Sequence, residues 1–224
     1  KHELRSNKRS KTVYFLMRTI KMLFIIHSAA LSFTVAIAGA NGDLGRELVQ
    51  QTLERKWNCL AITRDKPLYY PFRGGWLSND ETKLYPIEDE QLFNVNYTQL
   101  PKPYDALVIT LGKKPFIEDD SHLTCKQLLE KLPDECKKIC LVSAHGVGDS
   151  INDSNFGIKA MRGWYLKQVY ESKRLQENMV TSIDGVKTVV MRPKVLSYGI
   201  IPFNSFHTPR EKLADEILNG FQSV

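Results

Sequence analysis

The stretch FTVAIAGANGDLGRELVQQ, Phe33 to Gln51, constrains the fold more than any other part of the chain. It joins a short apolar, β-branched run to an amphipathic run, with Gly39, Gly42 and Gly45 at the junction. FTVAIA, ended by glycine, has the composition of a strand buried on both faces. DLGRELVQQTLERK places Leu44, Leu48, Val49 and Leu53 on one helical face, and WNCLAIT follows as a second strand. Strand, helix and strand within about thirty residues open a parallel α/β sheet.

The alternation continues along the chain. YDALVITLG, Tyr104 to Gly112, and KKICLVSAHG, Lys137 to Gly146, read as buried strands, and HLTCKQLLEKL between them as a helix. GWYLKQVYESKRLQENMV is predicted as a long helix, followed by a strand, VKTVVMRP, that Pro193 stops. Thr208, Pro209 and Glu211 spell a capping box with proline at the first helical position, which starts a last helix at about Pro209. The pattern fails from Lys66 to Lys83, where two prolines and a Gly-Gly pair predict a long loop carrying Tyr69, Tyr70, Phe72 and Trp76. Those aromatics either cover a ligand or pin the loop to the core. KLYPIE is a short strand, and the segment from there to Pro103 reads as irregular or briefly helical. Five or six parallel strands alternating with helices make an α/β, doubly wound, mainly parallel sheet in three α/β/α layers, a single domain over residues 33–224.

The glycines restrict what such a fold can hold. A dinucleotide diphosphate needs backbone N–H groups at a helix N-terminus, where unpaired donors and the helix dipole converge on the anion. Gly39 permits the tight turn, Gly42 lets the backbone reach the phosphates, and Gly45 allows the helix to pack on the strand. The spacing is GxxGxxG, and its place between a buried strand and an amphipathic helix is the context in which the motif has meaning. Gly39, Asn41, Gly42, Asp43, Leu44 and Gly45 are therefore the expected diphosphate-binding residues. Arg64 and Asp65 follow the second strand. An acidic residue there would bond the ribose 2′-OH of NAD, and an arginine the 2′-phosphate of NADP. Arg64 comes first, which favours NADP; Asp65 keeps NAD as the alternative, and an exposed pair touching nothing is the plain reading.

Composition excludes more than it assigns. The chain has 224 residues, 42% hydrophobic, and a formal charge of +6. Lys1, Arg5, Lys8, Arg9, Lys11, Arg18 and Lys21, set against Glu3, account for that whole charge, which leaves residues 22–224 neutral. With no clustered positive field on the folded part, no nucleic-acid partner is expected. Cys59, Cys125, Cys136 and Cys140 form neither a CxxC pair nor a disulfide framework and read as reduced thiols of a soluble intracellular protein. Cys136 and Cys140 have the spacing of one helical turn, but no second pair completes a zinc site, and no metal is expected. From Met17, MRTIKMLFIIHSAALS has the basic region, short apolar run and small residues of a targeting segment; it reads equally as a basic leader with an apolar lead-in to the first strand. The apolar run is too short for a membrane span of about 20 residues. A cytoplasmic location is expected, with a plastid reached through residues 1–32 as the alternative.

With these segments in this order, from about Phe33 to Phe221, the chain resembles the atypical short-chain dehydrogenase/reductase superfamily, in particular its NmrA-like and biliverdin/flavin-reductase-like NAD(P)-binding proteins. The resemblance rests on AGANGDLG, the Arg-Asp after the second strand, DALVITLG, LVSAHGVGD, Lys173 with Glu177, and VVMRP. It implies a Rossmann-like sheet, bound NADP(H), and either reductase activity or a redox-sensing role. Ordinary members use Ser, Tyr and Lys, with the tyrosine four residues before the lysine whose charge lowers its pKa. If Lys173 is that lysine, Val169 occupies the tyrosine position. Tyr170 is about 100° round the helix from it, and Tyr165 lies two turns before Lys173 on nearly the same face. Ser143 matches the superfamily's strand-end serine, and His145, two residues on, could donate a proton near neutral pH or be a solvated turn residue. Lys173 and Glu177 read equally as an i,i+4 pair on a helix surface.

Ligands lie at the carboxyl ends of parallel strands, which places Gly112, Ser143 to Gly146 and Arg192 to Leu196 toward the cofactor. Pro193 fits the family's Arg-Pro pair, whereas Lys194 stands where a glycine is common. The expected catalytic set is Ser143, Lys173, Tyr165 and His145, and Gly112, Ser143, Lys173 and Pro193 join the cofactor-binding set. The expected activity is NADPH-dependent hydride transfer to a small carbonyl, quinone or flavin acceptor by a monomer or weak dimer. The alternative is a non-catalytic NADP(H)-binding sensor or assembly protein acting through a partner protein.

Overall fold

The computed structural model describes residues 33–63, 69–70, 85–86, 92–96, 103–112, 119–152, 166–197 and 207–222. Every element belongs to the compact unit Thr34–Val224. Residues 1–32, Arg64 and Asp65, Phe72, Trp76 and Tyr165 lie outside the described residues, as do the side chains of Tyr69 and Tyr70.

Six strands form one sheet: β1 (Thr34–Ala38), β2 (Asn58–Thr63), β5 (Leu92–Asn96), β6 (Ala106–Ile109), β7 (Lys138–Val142) and β8 (Lys187–Met191). Their order is β5-β2-β1-β6-β7-β8, and every neighbouring pair is parallel. β1 sits between β2 and β6, with Val35 opposite Cys59 on one side and Ala106 on the other. The chain thus builds outward from β1 in one direction and then in the other, and the reversal opens a crevice at the carboxyl ends of β1 and β6.

Alternation of side chains divides the core between the two faces. Ala36, Ala38, Leu60, Ile62, Leu107, Ile109, Ile139 and Leu141 form one buried cluster with Cys125 and Leu128 of α2 (Ser121–Glu130) and Val180 of α3 (Lys167–Thr181). Val35, Ile37, Cys59, Ala61, Val108 and Cys140 alternate with these and are also buried. Their face is covered by α1 (Asp43–Glu54) and α4 (Arg210–Gln222), which pack on each other. This is the expected three-layer arrangement.

The second flank departs from expectation. Leu92–Asn96 is neither irregular nor helical: it is the edge strand beside β2, with Leu60 opposite Phe93. Within the predicted loop, Tyr69–Tyr70 (β3) pairs antiparallel with Tyr85–Pro86 (β4). Val195–Ser197 (β9) and His207–Pro209 (β10) form a further parallel pair, so α4 starts at Arg210, one residue after the expected position. α3 starts at Lys167, with Leu166 as its N-cap; Gly163, Trp164 and Tyr165, where the expected helix begins, lie outside the described residues. Cys136 and Cys140 are not one helical turn apart; the first precedes β7 and the second lies within it.

α1 ends without a glycine. Lys56 adopts φ 60, so that Lys56 N–H reaches Leu53 O at 2.9 Å and Trp57 N–H reaches Thr52 O at 3.2 Å, a Schellman closure. All four thiols are free and buried; burial pushes Cys125 up to about 12 and Cys136 up to about 11, and burial with nearby Glu216 pushes Cys140 up to about 12. Among the described residues no helix is long and apolar enough to cross a membrane.

Candidate functional site

The glycine turn closes the carboxyl end of β1. Gly39 has φ +85, a conformation that side chains rarely adopt, and a Cβ there would stand 2.7 Å from Thr110 Oγ1. Thr110 holds the turn down: its N–H and its hydroxyl both donate to Ala38 O, at 2.9 and 2.8 Å. Gly42 N–H closes the turn onto Gly39 O at 2.9 Å, and Gly42 then serves as N-cap of α1. A Cβ at Gly45 would collide with Gly39 O and lie 2.8 Å from Ala40 Cα, so the helix approaches the turn too closely for any side chain. No side chain caps α1. Its first-turn amides therefore face the crevice with the helix dipole behind them. Asn41 is half-buried, Gly42 and Asp43 are exposed, and the Leu44 side chain is buried, so Leu44 can offer a ligand only its backbone.

The other wall of the crevice comes from β6, β7 and β8. Ser143 follows β7, with its N–H on Met191 O at 2.8 Å, and its side chain is 5% exposed. Ser143 Oγ is buried and has no hydrogen-bond partner among the described residues. An orphaned hydroxyl of this kind costs the fold free energy unless a ligand satisfies it. His145 N–H donates to Pro193 O at 2.9 Å, which ties the turn after β7 to the segment after β8. The Tyr170 hydroxyl donates to His145 O at 2.8 Å and fixes the same turn from α3.

Lys173 stands beneath these loops, 8% exposed. Its ammonium donates to Leu111 O at 2.5 Å and to Val142 O at 2.7 Å, bridging the ends of β6 and β7. Burial lowers its pKa to about 8, against the opposing pull of Asp119, Cys125 and Glu177. Gly112 is exposed beside it: a Cβ there would lie 3.6 Å from Lys173 Cε. Glu177 is not the surface partner of Lys173. It is 5% exposed and takes Arg192 in a two-pronged pair, both bonds 2.9 Å, which joins α3 to the chain leaving β8. The i,i+4 spacing concealed this pairing because the true partner is 15 residues away.

The crevice thus gathers Gly39, Asn41, Gly42, Asp43, Gly45, Gly112, Ser143, His145, Lys173 and Pro193 at one end of the sheet. Val169, on the first turn of α3, is half-buried, and no tyrosine takes its place one turn before Lys173. Sequence reasoning missed Thr110 as a support of the site; it placed Arg192 toward the cofactor and weighed Tyr170, but not their partners Glu177 and His145. The strand-end position of Thr110 was the available signal.

A parallel sheet with its chain reversal at a glycine turn, and that turn feeding an uncapped helix, defines a dinucleotide-binding Rossmann domain. The family profile described as NAD(P)H-binding matches residues 39–213, and the chain belongs to that family. No curated protein matches it in sequence. Solved structures of similar fold include the anaerobilin reductase ChuY of Escherichia coli O157:H7, 17% identical, TM-score 0.58, covering 85% of this chain and 91% of that one. The oxidoreductase ylbE of Lactococcus lactis is 16% identical, TM-score 0.59, covering 85% of each chain. A wide-type short-chain dehydrogenase/reductase of Veillonella parvula, in complex with NADP, is 12% identical, TM-score 0.64, covering 87% of this chain and 89% of that one. A nicotinamide dinucleotide fits the residues present: the turn leaves no room for side chains where a diphosphate would approach, and the Ser143 hydroxyl waits for a partner.

Proposed function

We propose that the chain is an NADPH-dependent oxidoreductase whose hydride acceptor, a flavin or quinone before a simple carbonyl, needs no proton from a tyrosine. One observation carries this reading. Lys173 directs two of its N–H bonds to backbone carbonyls, and Val169 stands one turn before it, where ordinary members carry the tyrosine of their relay. When bound, the cofactor supplies the hydride. The glycine turn and the α1 amides hold its diphosphate, Lys173 fixes the two strand ends that frame the crevice, and Ser143 Oγ donates to the ligand that satisfies it. Arg64 at the 2′-phosphate selects the phosphorylated form. The ChuY and Veillonella structures, one a reductase and one with NADP bound, support the same reading.

Two measurements test it. Oxidation of NADPH, followed by its absorbance, is expected with flavins or quinones and to be weaker with aldehydes. Tight binding without turnover across that panel would favour the sensor reading, which the missing tyrosine also suits. Arg64→Ala is expected to weaken NADPH binding about tenfold or more while leaving NADH within about twofold. Equal losses would remove the NADP assignment.

A further inference from the structure

Lys173 is a buried amine whose two bonded partners, Leu111 O and Val142 O, are neutral carbonyls. Neutral acceptors offset only part of the desolvation of an ammonium, so whether it keeps its proton depends on the charges around it. On α3 itself Glu177 lies one turn on, but both its oxygens are taken by Arg192, which Asp149 also influences. On α2 Cys125 is buried, and burial pushes its thiol up to about 12, so it is neutral wherever the lysine is charged. His122, half-buried, has its Nδ1 3.3 Å from Ser172 Oγ. β6 and β7 contribute the two carbonyls, and Ser143 beyond β7 is a neutral hydroxyl.

Asp119, just before α2, is different. It is 6% exposed; its Oδ1 accepts the Ser121 N–H at 2.9 Å, and its Oδ2 is buried and bonds nothing. None of the ion pairs among the described residues includes it. The packing of α2 on α3 sets it beside the lysine. Ser121 Oγ meets Ser172 Oγ at 3.1 Å, and Gln176 Nε2 donates to Ser121 Oγ at 2.7 Å. The residue two before Ser121 and the residue after Ser172 therefore share one seam. Among the groups that favour the protonated lysine, Asp119 acts most strongly. A buried carboxylate oxygen without a donor and a buried ammonium on neutral acceptors each destabilise the fold alone, and on one seam each lowers the cost of the other.

We infer that Asp119 is a positioning residue of the site: its carboxylate, held at the seam of α2 and α3, keeps the proton on Lys173, so that the floor of the crevice between β6 and β7 stays positive through neutral pH. A fixed positive charge there favours an acceptor that gains negative charge as hydride arrives, as a flavin or a quinone does. That consequence rests on the hydride-transfer reading above; the hold on the lysine proton does not.

Nuclear magnetic resonance of the whole chain, with isotope-labelled lysine and no ligand, tests it by following the Lys173 ε-carbon against pH. Its signal is the one lost in Lys173→Arg. Asp119→Asn keeps the carbonyl that accepts the Ser121 N–H and removes the charge. It is expected to lower the pH at which Lys173 gives up its proton by about one unit or more. Ser121→Ala removes the hydroxyl contacts of the seam, keeps the N–H on Asp119, and is expected to leave that midpoint in place. Should the asparagine variant fail to fold, Asp119→Ser keeps an oxygen at the start of α2 and gives the same readout. An unchanged midpoint in Asp119→Asn, or an equal fall in Ser121→Ala, overturns the inference. The alkaline limb of the pH profile of NADPH oxidation is expected to move down with the midpoint in Asp119→Asn, and a limb that stays in place overturns the assignment of Asp119 to the site. Absence of turnover with every acceptor would remove the hydride-transfer reading and leave the lysine midpoint to decide this inference.

Discussion

A methyl group at Gly45 has to displace the Gly39 carbonyl or the Ala40 backbone, neither of which can rotate away. Gly45→Ala is therefore expected to cost about 1–3 kcal/mol in denaturant unfolding and to abolish dinucleotide binding, because the turn opens where the diphosphate would sit. Gly220 supplies the control. It is exposed within α4, and a Cβ there meets nothing within 4 Å. Gly220→Ala is expected to stabilise the chain by about 0.5–1 kcal/mol and to leave binding unchanged. The two glycines look alike in the sequence until the first is placed between a buried strand and a helix, and this is why the turn was legible. The orphaned Ser143 hydroxyl and the unbonded Asp119 Oδ2 were not, since a buried atom without a partner is a property of packing and not of residue type.

Among the elements, the strongly apolar strands β1, β2, β6 and β7 could be read from composition alone, whereas β5 could not. In LFNVN two of five residues are asparagine, a poor strand former, and the segment is a strand because β2 offers it a ladder. α3 was legible as a helix but not in its partners. Its lysine and glutamate point inward to a pair of carbonyls and to a distant arginine. The sign of the resulting pH dependence is definite. Lys173 titrates at about 8 in the folded chain and at its ordinary 10.5 when unfolded. Below pH 8 both states carry the proton and the folded state bears the full cost of a buried charge; above 10.5 that cost is gone. Stability from this group therefore rises as pH climbs from 8 to 10.5. The difference in unfolding free energy between wild type and Lys173→Met is expected to move toward the wild type by up to about 3 kcal/mol across that window, measured by urea denaturation. A flat difference would mean that the lysine is solvated.

At the scale of the molecule, the two halves of the sheet meet at β1, and a ligand in the crevice touches segments from both. NADPH at a hundred times its dissociation constant adds about 2.7 kcal/mol to the stability of a binding-competent fold. For a domain of this size that corresponds to a rise of about 5–10 °C in the melting temperature by scanning calorimetry. No rise with any nicotinamide nucleotide would count against the crevice as a binding site. The same frame sets how the chain can respond to oxidants. Its four cysteine thiols sit in the core, three of them with their thiolate forms strongly disfavoured. Peroxide or an alkylating reagent finds no reactive anion at the surface. Any report this protein makes on the redox balance around it must therefore be read from which nucleotide it carries, and cysteine thiols have no part in the signal.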